Sequence, residues 1–575
     1  MRATNPIPFL LFLVVNYTFL RDGTIYNTFF MASKSEAPQE ALPISAGSLS
    51  KEWPQWALFF VLTMAISFGT FGDALDKHWT TAWLVLGGAS LALALTGCIR
   101  MVHPKLWAIG MAVLGIQAWR GGHCQWEVLA QLGWIWTWIW TVPNTKRFNW
   151  WNGAKALPVF ALVIGSVMMI HAAVAILQGE WGHGASYEMR LPWAHRNIGM
   201  EALFIMTVIG GHFSKRRWWA WWGFIALLAL TYQVRSVLLG SACWMLYVLW
   251  ISNTGSRLIK RGFLIAFSLF ASVQIAWNLL PYDVRVREFA KLPDILKALD
   301  VTYNLNAAES SSIRLNMWSW TWDNLQLQGA GLGAWRNDAE GWVNVAVGRC
   351  GDALHRAHSE FLQWTYEIGW LPLLLMVGLC WPLRKSMGRW LWLSLPFFAF
   401  TFPAERAEIL WPLAMLGWLL KSQLQPKPDT TPNVGSHRLL IGSFAALSLL
   451  LGSWVVAQNG LGRIFTQTGD LKVDWSPIEE TCIGLHPQDI ALNHADIFRS
   501  MDAFNAGNME KGTAIIQGHM EQNPRCISGI RVLLKLKGES NDPNSVCGLL
   551  NEKLQSTETA AEVAAAPRPP LLAKK

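Results

Sequence analysis

Charged residues are scarce in this sequence. Only 15% of the 575 residues are Asp, Glu, Lys or Arg, whereas soluble globular proteins carry about 25%. This composition excludes an ordinary soluble enzyme. It also excludes a disordered or nucleic-acid-binding chain, because the net charge of +9 is spread thinly through apolar sequence and is not gathered into a basic domain.

The usual motifs of metal and nucleotide sites are also missing. The eight cysteines contain no CxxC pair, so metal binding through thiolates is not expected. No H-E-x-x-H motif accompanies the histidines. The run from Gly329 to Ala334 fits the letters of the dinucleotide fingerprint, but no strand precedes it and no βαβ unit surrounds it. We therefore interpret this run as a tight turn.

Apolar residues and tryptophan are abundant instead. The chain is 52% hydrophobic and contains 36 tryptophans, a residue that favours the membrane interface. Apolar stretches of roughly 16 to 22 residues recur, close to the ~20 residues that a membrane-spanning helix needs. The sequence predicts an all-α, polytopic membrane helical bundle of about thirteen transmembrane helices. The predicted spans are 54–72, 82–99, 106–119, 126–142, 157–178, 197–213, 218–232, 234–251, 262–280, 359–381, 391–402, 409–420 and 439–456.

One of these stretches also has the pattern of a strand. Tryptophan alternates with Ile and Thr from Trp134 to Trp140, with the period of two that a sheet shows. A lone strand cannot satisfy its backbone hydrogen bonds in lipid, so we favour a helix here.

The polar segments divide the chain into regions. Residues 1–53 form an N-terminal segment that contains a short extra span or results from a mis-assigned start. The transmembrane domain covers 54–457, including a long outer loop at 281–357. A helical tail follows at 458–559, and the Ala- and Pro-rich residues 560–575 are expected to be disordered.

Basic residues indicate the orientation of the bundle. They collect in the loops near 146–155, 215–217, 257–261 and 384–389, which alternation places on one side, and short cytoplasmic loops are enriched in Lys and Arg. The loop 281–357 and the tail are then extracytoplasmic. Within the tail, Gly507, Asn508 and Pro524 occupy the turn and end positions of a tetratricopeptide-like helical hairpin.

Histidines at the end of the long loop are candidates for chemistry. His358 lies where the loop meets an apolar span, so its imidazole is partly desolvated and reachable, which suits a base near neutral pH. The alternative is that it only caps or anchors the helix. A metal site formed by His355 and His358 with Asp352 and Glu360 is weakly indicated by spacing alone.

Arginines at the outer ends of spans are the second group of candidate site residues. Arg235 has no acidic residue near it in sequence, and an arginine at such a place is costly unless it is paired or serves a site. Its planar fork binds phosphate in a bidentate manner. Arg314 offers a second fork, and Arg196 with Asn197 offers polar groups at the start of another span. The alternative for each is snorkelling to the interface.

These residues resemble the signature of the O-antigen ligase and polymerase superfamily, which includes the O-oligosaccharyltransferases of protein glycosylation. The resemblance lies in the Arg314 segment, the G-x-G-x-G turn at 329–333, and His358-Ser359 followed by nine residues and Gly369. Pro372 departs from the residue types that often close this motif. The Arg235-Ser236 pair and the sequence His195-Arg196-Asn197 are similar to further family elements, and the resemblance covers about residues 192 to 420.

The resemblance implies a glycan transferase of the bacterial inner membrane. It would move a glycan from undecaprenyl diphosphate to an acceptor hydroxyl outside the cytoplasm, with inversion and without a metal or cofactor. Arg235 and Arg314 would hold the diphosphate, and His358 would orient or deprotonate the acceptor hydroxyl. Further substrate contacts are expected from Arg196, Asn197, His355 and Glu367.

Three acceptors remain open: the lipid A core, a growing glycan, and a protein Ser or Thr. The outer tail favours recognition of a protein or another partner. The expected partners are the lipid-linked glycan, its acceptor and membrane lipids, and no nucleic acid. The alternative function is a transporter or flippase for a lipid-linked glycan or another anion. The sequence has no internal repeat, and its candidate residues cluster at outer ends, which favours the enzyme.

Overall fold

The structure is a computed structural model. It describes the residues 49–68, 77–121, 125–144, 150–178, 196–214, 218–232, 234–251, 284, 305–335, 357–384, 393–394, 396–399, 401, 406–424, 434–466, 499–500, 503–504, 506–522 and 533–534.

The described residues are mostly α-helical, as the sequence predicts. The first helices and the two short strands are α1 (Leu49–Phe68), α2 (Lys77–Leu95), β1 (Ile99–Met101), α3 (Pro104–Trp119), α4 (Gln125–Ile139), β2 (Thr141–Pro143), α5 (Trp150–Ala154), α6 (Ala156–Leu177), α7 (Arg196–Phe213), α8 (Trp218–Thr231) and α9 (Arg235–Ile251). They are followed by α10 (Leu305–Asp323), α11 (Glu360–Ile368), α12 (Trp370–Leu379), a 3-10 turn (Trp381–Leu383), α13 (Ala407–Leu424), α14 (Val434–Thr466) and α15 (Met509–Gln522).

Most of the predicted spans each coincide with one helix. Among the described residues, two segments are long and apolar enough to cross a membrane by length and composition, Ala156–Ala175 and Gly435–Gly452. Other apolar helices, such as Asn197–Phe213, are shorter. The predicted span 262–280 and most of 391–402 lie outside the described residues. A bundle of helices is therefore confirmed, and the number of membrane crossings stays a prediction.

Two predicted boundaries differ from the structure. The segment with alternating tryptophans is helical through Trp138, as favoured, but α4 ends at Ile139 and the chain then enters β2. The antiparallel ribbon of β1 and β2, in which Ile99 pairs with Pro143, was not predicted because its strands are too short for a periodic signal. The helix α14 covers Val434–Thr466 and so extends beyond both ends of the predicted span 439–456.

Helix α7 lies at the centre of the bundle. Every residue from Ile198 to Gly211 is buried, and α7 packs against α6, α8, α9 and α13. A helix that is apolar and covered on all sides is a core helix. Any charged side chain on it therefore has to be matched by groups of the protein itself.

The bundle has two distinct ends. Helix α3 starts directly after β1 and ends near Gly121, where the amide of Leu332 donates a hydrogen bond to Gln117. Helix α4 then returns to β2. We call the side with the two strands the ribbon end, and the side where Gly121 meets the residues 327–335 the turn end.

Many tryptophans lie in the core and not at an interface, which corrects the interpretation of their excess. Trp83, Trp134, Trp335 and Trp411 are among the largest fully buried side chains. The indole N–H groups of Trp134 and Trp411 donate hydrogen bonds to hydroxyl groups on neighbouring helices. The indole groups of Trp134 and Trp138, for example, both donate to the Ser90 hydroxyl, at 3.1 and 3.3 Å. Buried indoles usually have such a partner, and composition alone does not reveal it.

A buried lysine at the ribbon end of the bundle caps the C-terminus of α4. The Lys421 ammonium donates hydrogen bonds to the carbonyl oxygens of Trp138, Ile139 and Thr141, at 3.2, 2.6 and 3.0 Å. Trp418, one turn earlier, stacks on Trp138 with ring centroids 3.7 Å apart. The last carbonyls of a helix lack partners within the helix, and a cation there complements the helix dipole. Lys421 thus ties α13 to α4.

The described part of the tail agrees with the predicted helical turn. Gly507 has a φ of 79°, and the Asn508 side chain accepts a hydrogen bond from the amide of Lys511 at 3.1 Å in the first turn of α15. A Cβ on Gly512 would lie 2.3 Å from the Phe504 ring. This close packing explains why a glycine occupies position 512.

We predict that Lys421→Met destabilises the protein by about 3 kcal/mol, because it leaves carbonyl groups at the end of α4 without their donor. Unfolding of the full chain in detergent, by heat or by denaturant, measures the effect. The control is Lys105→Met, an exposed lysine whose replacement is expected to change stability by less than about 0.5 kcal/mol. Equal effects of the two variants would contradict the capping role.

Candidate functional site

A glycine-rich turn forms the frame of the site. Gly329, Gly331 and Gly333 have φ angles of 75°, 100° and 76°, a region of backbone conformation that residues with a Cβ rarely adopt. The element before the turn is the helix α10 and not a strand. The run at 329–334 is therefore a turn, as predicted, and lacks the setting of a dinucleotide site.

The turn is fixed to the end of α3 by hydrogen bonds. The amide of Leu332 donates to the Gln117 carbonyl at 3.0 Å, and the Gln117 side chain donates to the carbonyl of Gln328 at 3.0 Å. The Arg120 guanidinium donates to the carbonyls of Gln328 and Gly329, at 2.9 and 3.0 Å. The hydrogen bonds of the Arg120 guanidinium thus hold the backbone of the turn in place.

The other side of the turn is bonded to the end of α11. The amides of Ala330 and Gly331 donate to the carbonyls of Tyr366 and Glu367, each at 2.9 Å. These carbonyls belong to the last turn of α11, where a helix has no partners of its own for them. The chain then breaks at Gly369, which has a φ of 90°.

This break corrects the prediction of a single span at 359–381. Helix α11 ends at Ile368 and α12 begins at Trp370. Hydropathy did not reveal the break, because apolar residues continue past Gly369 and Pro372. Two of the carbonyls that the break exposes, those of Tyr366 and Glu367, accept hydrogen bonds from the turn, which stabilises the interruption.

Backbone packs directly on backbone at three of the glycines. A Cβ on Gly329 would lie 2.4 Å from the carbonyl carbon of Ile368, and one on Gly331 would lie 2.5 Å from the carbonyl oxygen of Arg120. A Cβ on Gly369 would lie 2.3 Å from the amide nitrogen of Gly329. Real Cβ atoms do not approach other atoms so closely, so α3, the turn and the α11–α12 junction meet only because these positions are glycine.

His358 lies immediately before α11 at the same end. It is half-buried, with a φ of 53°, and the N-cap position of α11 belongs to the next residue, Ser359. The preceding residue, Ala357, is held at both backbone groups. Its carbonyl accepts from the Trp318 indole at 2.7 Å, and its amide donates to the Gln363 side chain at 3.4 Å. These hydrogen bonds hold the backbone next to His358 in place, and with it the attachment point of the imidazole.

Helix α10 supports this position from the side. Met317, Trp335 and Tyr366 form a small buried cluster with Ala334 and Ala357. The Trp335 indole donates to the Thr321 hydroxyl at 2.9 Å. The cluster locks α10 against α11, and α10 also carries Arg314, one helical turn before Trp318.

A buried glutamate forms the second part of the site. Glu201 of α7 is 2% exposed. One carboxylate oxygen accepts from the Ser236 hydroxyl at 2.7 Å, and the other accepts from the Thr401 hydroxyl at 3.3 Å. Arg314 and Arg406 interact electrostatically with the same carboxylate. The structure thus brings four chain segments together at one acidic side chain.

This arrangement groups some of the predicted site residues and leaves others undecided. Arg314 approaches the Arg235-Ser236 segment, because Ser236 binds the glutamate with which Arg314 interacts. Arg235 and Arg196 begin α9 and α7, but their side chains lie outside the described residues, as does all of His355. Asn197 is half-buried in the first turn of α7, one turn before Glu201.

Glu367 is fully buried in α11, and its carboxylate accepts a hydrogen bond from the Gln363 side chain at 3.3 Å. Gln363 in turn holds Ala357. In this structure the Glu367 carboxylate is therefore bonded to another side chain of the protein. Its predicted contact with substrate stays a prediction.

Sequence reasoning missed several charged residues of the site. Glu201, Arg406 and Glu408 were not selected, although Glu201 lies within a predicted span and Glu408 next to one. Acidic residues inside apolar stretches are costly and usually functional. That signal was present for Glu201, whereas its electrostatic interaction with Arg406, which is distant in sequence, requires the fold.

Among the described residues, no group of three or more His, Cys, Asp or Glu side chains is placed to hold a metal ion. Compared with protein-family models, curated proteins and solved structures, the chain matches none. The membership in the glycan-transferase superfamily therefore stays a prediction that rests on the motif residues.

We predict that Gly369→Ala destabilises the protein by about 3 kcal/mol or more, because its backbone conformation is accessible almost only to glycine and the new Cβ would meet the turn. The matched control is Gly378→Ala in α12, where a Cβ would meet no atom within 4 Å and alanine favours the helix by about 1 kcal/mol. Thermal unfolding in detergent compares the two. A Gly369→Ala variant as stable as Gly378→Ala would contradict the backbone contact at the turn.

Proposed function

We propose that this chain is a multi-pass transferase of the bacterial inner membrane that moves a glycan from undecaprenyl diphosphate to an acceptor hydroxyl. In this proposal about thirteen helices span the bilayer, and the reaction takes place at the turn end, on the extracytoplasmic side. The tail that includes α15 lies on the same side.

Exposed apolar side chains support the membrane location. On α6 the side chains of Val167, Ile170 and Leu177 are exposed, the last at 87%, and Leu371 and Leu374 of α12 are exposed as well. Soluble proteins rarely expose contiguous apolar patches of this kind. In a bilayer, lipid chains would cover these apolar side chains and so keep them out of water.

The two ends of the bundle support the orientation. The basic loops near 146–155 and 384–389 follow elements that finish at the ribbon end, and the positive-inside rule assigns that end to the cytoplasm. The glycine turn, His358 and the Glu201 cluster are at the other end. A donor whose lipid chain lies in the outer leaflet would place its diphosphate close to the turn end.

The observation that carries the proposal is the convergence at Glu201. Arg314 and the segment of Arg235 and Ser236 are far apart in sequence, yet both meet at this carboxylate. The same helix that carries Arg314 fixes the backbone next to His358 through Trp318. Phosphate-binding groups and a candidate base thus share one rigid support.

The chemistry follows from these positions. Arg235 and Arg314 would bind the diphosphate and stabilise the negative charge that develops on it as it leaves. His358 would accept the proton of the acceptor hydroxyl while its oxygen attacks the anomeric carbon from the opposite face. A C–O bond forms to the acceptor, the C–O bond to the phosphate breaks, and undecaprenyl diphosphate departs with its electron pair.

The acceptor is the lipid A core, a growing glycan or a protein Ser or Thr. Arg196, Asn197, His355 and Glu367 would contribute to the binding of donor or acceptor. The helical tail favours a protein or partner surface over a purely lipid acceptor. In this proposal the donor already carries its activated bond, so no nucleotide or other cofactor takes part.

We predict that His358→Ala lowers kcat for glycan transfer by about 100-fold or more, the usual effect of losing a general base. The assay uses the purified full chain in detergent with a lipid-linked glycan, an acceptor and EDTA. His171→Ala, an exposed histidine of α6, is the control and should keep full activity.

Full activity of His358→Ala would contradict the role of the histidine as base. Absence of product with every acceptor class from the wild-type protein, together with movement of the lipid-linked glycan across vesicle membranes, would contradict the transferase and favour a transporter.

A further inference from the structure

His358 has a backbone conformation that its own side chain disfavours. Its φ of 53° is in the left-handed region, which residues with a Cβ rarely adopt. Such a conformation persists only where the surrounding structure imposes it, and it is often found at functional sites. The contacts on either side of His358 therefore matter for the position of its imidazole.

The N-cap of α11 provides little of this support. Ser359 is the N-cap residue and is extended, with a φ of −153°, but its side chain makes no capping hydrogen bond. An N-cap side chain usually accepts a hydrogen bond from an amide in the first turn of its helix. Without that bond, the chain that enters α11 has to be fixed by groups outside the first turn.

Trp318 of α10 supplies a short contact on the other side of His358. Its indole N–H donates to the carbonyl of Ala357 at 2.7 Å, whereas the Ala357 amide lies 3.4 Å from the Gln363 side chain. Ala357 is fully buried and belongs to no helix or strand. A buried carbonyl without its donor is costly, so the bond from Trp318 strongly restrains the residue before His358.

The restrained carbonyl belongs to the same peptide unit as the His358 amide. Peptide units are planar, so the bond from Trp318 also fixes the plane that contains the His358 nitrogen. With this plane fixed on one side and α11 on the other, the backbone of His358 has little room to rotate out of the left-handed region.

The donor itself has a firm support. Met317 and Thr321, on the same helix as Trp318, are buried, and the ring of Trp320 lies 5.8 Å from that of Tyr366 in α11. Helix α10 therefore cannot easily move away from α11. The indole of Trp318 is presented to the Ala357 carbonyl by a helix that is already in place.

We infer that Trp318 is a positioning residue for His358. Its indole N–H, acting through the Ala357 carbonyl, holds His358 in the left-handed conformation from which the imidazole accepts the proton of the acceptor hydroxyl. The inference rests on the proposed function, since the role of His358 as a base belongs to that proposal.

The variant Trp318→Phe tests the inference, because it keeps an aromatic ring and removes the N–H donor. A misplaced base slows the chemical step, so we expect kcat for glycan transfer to fall about tenfold or more. The KM for the lipid-linked donor should stay within about twofold, because no substrate contact is lost. The matched control is Trp222→Phe, another half-buried indole that donates to a backbone carbonyl, that of Ser241 at 2.9 Å; its kcat should equal that of the wild type.

A double variant separates positioning from a general effect on the fold. If Trp318 acts through His358, adding Trp318→Phe to His358→Ala should cause no further loss of kcat, because residues that act as a unit are not additive. A loss of the same factor in both backgrounds would overturn the inference.

Hydrogen exchange of the full chain, measured by mass spectrometry, examines the restraint without any transfer step. In Trp318→Phe the segment 357–363 should exchange about tenfold faster or more than in the wild type, while Trp222→Phe leaves this segment unchanged. Exchange that is unchanged at 357–363, or that rises equally throughout the chain, would contradict the local restraint.

The two assays separate this inference from the proposed function. Faster exchange at 357–363 with unchanged kcat in Trp318→Phe overturns the positioning role and leaves the transferase intact. Wild-type protein that gives no product with any acceptor contradicts the proposed function, and the role of Trp318 in transfer with it, whatever the exchange shows.

Discussion

The side chain of Glu201 is buried on α7, the central helix of the bundle. Its hydrogen bonds and charge interactions therefore have to come from other groups of the protein instead of from water. Two hydroxyl groups and two arginines meet this demand at Glu201. Because a buried acidic group without polar partners costs several kcal/mol, these contacts constrain the helices that contribute the groups. The position of α9, α10 and the start of α13 around α7 follows from that constraint.

A different interaction holds the neighbouring half of the turn end. There, glycines let the backbone of α3, the turn and the α11–α12 junction touch directly, and side chains are excluded from the contact. Helix α10 joins the two halves, because Arg314 on it meets Glu201 while Trp318 holds the backbone next to His358. Electrostatic matching and backbone packing thus act on the same helix, and this is what brings the phosphate-binding candidates and the candidate base into one region.

Much of the fold could be predicted from the sequence, because an apolar run of helical length is a local property. The helices α6 and α7 begin and end within a residue or two of their predicted bounds. The break at Gly369 could not be predicted, since the amides that satisfy its free carbonyls come from Ala330 and Gly331. The core role of Trp134 and the capping by Lys421 also depend on partners distant in sequence. For the site, His358 and Arg314 could be selected from local pattern, whereas the electrostatic interaction of Glu201 with Arg406 depends on the tertiary fold.

The residues 327–335 are bonded through their backbone to α3 on one side and to the α11–α12 junction on the other. Sliding of these helices past one another would break several of these hydrogen bonds at once, so this side of the turn end behaves as one rigid piece. In the proposed reaction, a lipid-linked glycan and a large acceptor would nevertheless have to enter and leave. On the opposite side, the described contacts around Glu201 are made by side chains, those of Ser236 and Thr401 among them, so an opening would disrupt fewer backbone hydrogen bonds there.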